Sequence, residues 1–150
     1  MDRRILIALM AIAILLTVPH TALSEQKRVK VKVHVPEVVV IIVKPESYSI
    51  SVSEDDFINH RMVYSDSGQL TVGTNHEGTL VIGSSASGNV KVIRHMYINV
   101  NNKDFPVNSW KDEVSGPGET SYTIKFGLKA EWDLPKFEGV ITVVITVIPS

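Results

Sequence analysis

Alternation of apolar and polar residues dominates the chain from Val29 onward, and it limits the possible folds more than any other feature. Val29, Val31, Val33 and Val35 alternate with Lys30, Lys32 and His34. Tyr48, Ile50 and Val52 alternate with serines, and Tyr122, Ile124, Phe126 and Leu128 alternate with Thr123, Lys125 and Gly127. Successive side chains of a strand point to opposite faces, so a period of two marks strands with one buried face. Residues 38–43 are apolar throughout, the pattern of a strand covered on both faces or carrying a bulge. Shorter strands are expected at 70–72, 80–82, and among Val90, Val92, Met96, Ile98 and Val100. Residues 140–148 form the strongest pattern, read as central to the core with Ile141, Val143, Ile145 and Val147 on one face.

Turn signals separate these runs at short spacing: Asp66-Ser67-Gly68, Asn75-His76-Glu77-Gly78, Gly83-Ser84-Ser85, Ser87-Gly88-Asn89, Asn101-Asn102-Lys103-Asp104 and Ser115-Gly116-Pro117-Gly118. Such punctuation favours antiparallel hairpins over βαβ units. The expected fold is all-β, an immunoglobulin-like antiparallel β-sandwich preceded by a signal-peptide helix. Residues 54–64 fit one helical turn or a long loop.

The beginning of the chain has the three parts of a secretory signal. Arg3 and Arg4 precede an apolar run over residues 5–18, and Ala22 and Ser24 are small residues suited to the shallow pockets of a signal peptidase. The run is shorter than the ~20 residues of a membrane-spanning helix. Residues 1–24 are therefore read as a signal peptide and 25–150 as a single β-sandwich domain. The exported product should begin at Glu25, and its intact mass checks this; a product retaining Met1 in a membrane fraction would contradict it. The membrane then matters only during export, and the mature product is secreted, periplasmic or held at the cell surface.

With 15 basic and 16 acidic residues, the chain lacks the positive excess of a nucleic-acid binder. It has no cysteine, which removes disulfides, thiol chemistry and lipid-attached cysteine. His34, His60, His76 and His95 show no metal-ligand spacing. Ser84, Ser85 and Ser87 lie among glycines as a flexible loop, without a nucleophile elbow. Glu54-Asp55-Asp56 and the Asn99 to Asp104 cluster offer oxygen ligands, but in no calcium-loop pattern, and Asn and Asp also favour tight turns. No catalytic residue, cofactor or metal site is assigned, and the protein is not read as an enzyme. Trp110 and Trp132 are expected to pack in the core or on a sheet face. Lys27, Arg28, Lys30 and Lys32 beside the valines suit a protected edge strand or a strand that pairs with another subunit.

The mature start, Val29-x-Val31-x-Val33-x-Val35-Pro36 followed by a second apolar strand, resembles the opening of exported pilin-like β-sandwich subunits. The similarity is to the cysteine-free pilins of the alpha class of the chaperone–usher pathway. The ending, Lys136-Phe137-Glu138-Gly139 leading into residues 140–147, resembles their aromatic-x-Gly turn and final strand. Trp132-Asp133-Leu134 also matches the W-x-L triplet of a Gram-positive wall-binding β-sandwich family, whose usual second triplet Trp110-Lys111-Asp112 does not supply. The pilin resemblance implies an incomplete sandwich that self-associates or joins other surface subunits by β-strand addition. The candidate subunit-contact strand is residues 27–35, with Val29, Val31, Val33 and Val35 as the inserted side chains. Because only Pro36 and Glu37 separate it from the next strand, two states stay open: exchange between molecules, or closure of its own sandwich. The alternative function is a stand-alone secreted binding module for a polysaccharide or surface protein. An exposed aromatic row drawn from Tyr48, Tyr97, Tyr122 or Trp110 would favour it.

Overall fold

A computed structural model describes residues 25–150; the signal segment read at 1–24 lies outside the described residues. The chain divides into two units, Met1–Val35 and Pro36–Ser150. Residues 25–35 carry no helix or strand. The second unit holds β1 (Val39–Lys44), α1 (Glu54–Ile58), β2 (Met62–Tyr64), β3 (Gly68–Ser87), α2 (Val90–Ile93), β4 (Met96–Val100), β5 (Lys103–Pro106), β6 (Lys111–Lys129) and β7 (Thr142–Pro149). No helix among the described residues is long and apolar enough to cross a membrane.

The fold is all-β and sandwich-like, built from one antiparallel sheet bent across itself. β3 and β6 form its spine. They pair over Gly68↔Ile124 to Thr74↔Gly118, lose register, and pair again over Gly78↔Gly116 to Gly83↔Lys111. One half carries β1, β3, β6, β4 and β5 in that order, with β2 beside the end of β6; the other half carries β7 against the end of β3. Even-numbered residues face inward on both sides of the bend. Leu70, Val72, Leu80 and Ile82 of β3, and Val114, Tyr122, Ile124 and Phe126 of β6, join one buried cluster with Ile98 and Val107. Trp110 closes it edge-on to Tyr122, with ring centroids 5.6 Å apart.

The two strands expected at 70–72 and 80–82 are one bent strand, β3, and the strand expected at 122–128 extends back through a second bend to Lys111 as β6. Asn75-His76-Glu77-Gly78 and Ser115-Gly116-Pro117-Gly118 do not end strands; they turn corners within β3 and β6. Gly78 and Gly118 sit at φ of 132° and 142°, where a Cβ would be strained. A Cβ at Gly116 would collide with the carbonyl oxygen of His76, so the two corners can nest only without one. Gly116→Ala should therefore cost on the order of 1–3 kcal/mol through forced backbone displacement. Urea unfolding measures this, and an unchanged midpoint would show that the corner tolerates a side chain.

Other departures have equally local causes. Val90 and Val92 lie in the one-turn helix α2, because Asn89 Oδ1 accepts from the backbone N–H groups of Lys91 and Val92 and caps it. Ser84, Ser85 and Ser87 belong to β3 rather than a loop, since β7 gives that stretch a ladder partner. The 48–52 segment keeps its alternating burial without pairing into a strand. Ile141, just before β7, and Val143, Ile145 and Val147 within it pack against the core as expected, but β7 is an edge strand paired only to β3, so these side chains are half-buried.

Candidate functional site

β1 and β7 both pair with β3, on the side away from β6, and neither pairs with the other. Their second edges therefore run free along the same flank of the bent sheet. At the β7 end, the far side of β3 is closed by a loop. Ser84 Oγ donates to the carbonyl of Val107 at 2.6 Å, Ser84 N–H donates to the Trp110 carbonyl at 3.2 Å, and Ala86 N–H donates to Asn108 Oδ1 at 2.6 Å. Between the β1 and β7 edges lies an apolar groove of about 1300 Å³. Its walls include Ile41 and Val43 of β1, Ile124 and Phe126 of β6, and Ile141, Val143 and Ile145 at the β7 side.

β1 is where sequence and structure disagree most usefully. Its continuous apolar run fits a strand covered on both faces, yet Val39, Val40, Ile41 and Ile42 stay 38–45% exposed. Register with β3 points Val39, Ile41 and Val43 toward the groove and Val40 and Ile42 outward. The exposure arises because β1 has one strand neighbour and the open groove separates it from the residues at the β7 side. Burying a Val or Ile side chain contributes ~1.5–3 kcal/mol, so this strand carries stabilisation that it does not realise by itself. Tyr48, also lining the groove, keeps its hydroxyl buried without a hydrogen-bond partner, and burial raises its pKa.

Val29, Val31, Val33 and Val35, the candidate contact residues, are 72–83% exposed. The root of the strand that follows them is held by residues that the sequence marked only as a turn. Asn75 Oδ1 accepts from Val38 N–H at 2.7 Å, and Asn75 Nδ2 donates to the Pro36 carbonyl at 2.8 Å. Thr74 Oγ1 donates to the Val38 carbonyl at 2.9 Å, and His76 Nδ1 lies 3.1 Å from the Glu37 carboxylate. Asn75 and His76 are among the residues that the β3 bulge releases from pairing with β6, and Thr74 is the last paired residue before it.

The remaining polar clusters have structural duties. Asp56 and Ser53 form a reciprocal cap on α1, whose bonds to the Asp56 carboxylate lower its pKa, and Asp55 pairs with Arg61 at 2.8 Å. Asn101 and Asn102, at φ of 50° and 67°, make the two-residue turn between β4 and β5. Asn99 Nδ2 donates to Asp104 at 2.8 Å, and the Tyr64 hydroxyl donates to the same carboxylate at 2.6 Å. Burial, then Asp104, pushes Tyr64 up to about 12; burial, then Asp112, does the same for Tyr122. Among the described residues no cluster of His, Asp or Glu is arranged to hold a metal ion.

The aromatic row does not form, because Trp110 and Tyr122 are core residues, 2% and 5% exposed. Trp132, expected to pack in the core or on a sheet face, is instead 69% exposed, on a turn anchored by buried Ala130 and Leu134 and stacked on Phe57 at 5.7 Å. No protein-family model matches the chain, and a search of curated proteins finds no match.

Proposed function

We propose that the protein is an exported structural subunit of a cell-surface assembly, in which residues 27–35 of one copy add a strand to the open flank of another. The observation that carries this reading is the apolar groove bordered by two free strand edges, with the β1 run left uncovered. An added strand would satisfy backbone groups on a free edge and bury apolar side chains across the gap, the two gains of β-augmentation. Residues 27–35 have the required pattern, with four valines toward the groove and Lys30, Lys32 and His34 toward solvent. At about 3.3 Å per residue such a segment spans ~30 Å, comparable to β7. The pilin-like pattern at both ends of the sequence supports the same role, which is assembly rather than catalysis.

The alternative, a stand-alone module binding a polysaccharide or surface protein, has one observation in its favour. Trp132 is a rigidly supported aromatic side chain open to solvent. Sedimentation of the chain beginning at Glu25, across a concentration series, separates the two. Subunit assembly predicts association that the double substitution Val31→Asp, Val33→Asp abolishes while circular dichroism still shows the folded sheet, and that Trp132→Ala leaves intact. A monomer at every concentration, or association indifferent to the valines, would overturn it.

A further inference from the structure

Strand addition leaves open whether residues 27–35 enter a neighbour's groove or their own, and the groove's position sets a condition on the second route. Ile41 and Val43 line it, beyond the point where β1 begins. A segment that precedes β1 and enters the groove of the same molecule must therefore reverse direction within the few residues before Val39. The sequence offers the means. Pro36 is suited to the second position of a four-residue turn over residues 35–38, closed by a bond from Val38 N–H to the Val35 carbonyl.

Resting on the strand-addition reading, we propose that Asn75 is a positioning residue that blocks this turn and so directs the strand into another copy. Its Oδ1 takes the Val38 N–H at 2.7 Å, the donor that the turn would need. Its Nδ2 holds the Pro36 carbonyl at 2.8 Å, so one side-chain amide fixes the backbone on both sides of Glu37, in the manner of a neighbouring strand. Thr74 Oγ1 holds the Val38 carbonyl from the same corner, and the backbone N–H of Asn75 approaches that carbonyl at 3.3 Å. The β3 bulge thus has a purpose beyond turning a corner. It frees Asn75 from the ladder with β6 and presents it to the root of the exchanged strand. Self-closure would break these bonds and exchange would keep them.

The absence of native cysteine makes the test direct. Val33→Cys and Val143→Cys are introduced into the chain beginning at Glu25 and joined with a short flexible bismaleimide, and mass distinguishes links within a chain from links between chains. Wild-type Asn75 should give links mainly between chains. Asn75→Ala releases the Val38 donor and should raise the within-chain fraction by roughly fivefold, the effect of one hydrogen bond of about 1 kcal/mol. Asn75→Asp keeps an acceptor for Val38 N–H but loses the donor to the Pro36 carbonyl, so its within-chain fraction should lie between those of wild type and Asn75→Ala. An unchanged ratio in Asn75→Ala, or Asn75→Asp behaving like alanine, overturns the blocking role. Links mainly within the chain in wild type overturn it too, while leaving the groove as the binding place of the strand. No link of either kind in any background removes strand addition itself, and the blocking role with it.

Discussion

Ile82→Asp should leave the chain unfolded at 25 °C. Ile82 lies at the middle of the second half of β3, is fully buried, and has strand neighbours on both sides, Val147 of β7 and Asp112 of β6. Replacing it forfeits ~1.5–3 kcal/mol of apolar burial and puts a carboxyl group into the buried cluster that holds Leu80, Val114 and Trp110. Placing such a group in an apolar interior costs several kcal/mol more, even when it responds by taking up a proton. The total is comparable to the ~5–15 kcal/mol that holds a domain folded. Ile145→Asp, on half-buried edge strand β7, should destabilise clearly less, and Thr142→Ser should change little. Circular dichroism with urea titration ranks the three. If Ile145→Asp proved worse than Ile82→Asp, the core would lie nearer β7 than the bent spine of β3 and β6.

The strands with one covered face were legible in the sequence because alternation depends only on the pleat. Tyr122, Ile124 and Phe126 face the core at their expected period, and the period survives the bend from Leu70 and Val72 to Leu80 and Ile82. The bend itself was not legible. Asn75-His76-Glu77-Gly78 has turn composition whether the chain reverses there or merely turns a corner, and the difference lies in β6, whose own corner comes some forty residues later. Val90 and Val92 suggested a strand because two valines at a spacing of two are too few to outweigh a capping asparagine. β1 was misread for a more informative reason. A continuous apolar run normally means cover on both faces, and here the single chain leaves the outer face open and covers the inner one only in part, at Val43. The sequence pattern of β1 matches a completed sandwich, which is the state that strand addition would create. Asn75 was invisible as a positioning residue, since its partners Pro36 and Val38 are remote in sequence and are backbone groups without a residue signature.

The melting temperature of the compact unit Pro36–Ser150, with and without a peptide covering residues 25–35, tests strand addition most directly. Removing the segment leaves the groove and both free edges in place, so the peptide must supply both the ladder bonds and the valines from outside. A ligand that binds only the folded state, present at a hundred times its dissociation constant, stabilises by ~2.7 kcal/mol. For a domain of roughly this size that is a rise on the order of 10 °C. The rise should saturate with peptide concentration and should vanish when Val31 and Val33 of the peptide are replaced by Asp, because those side chains would then meet Ile41 and Phe126 as charges. A saturable rise abolished by the two substitutions is the predicted result. A melting temperature that ignores the peptide at every concentration would show that the groove does not take this strand, and would contradict assembly by strand addition.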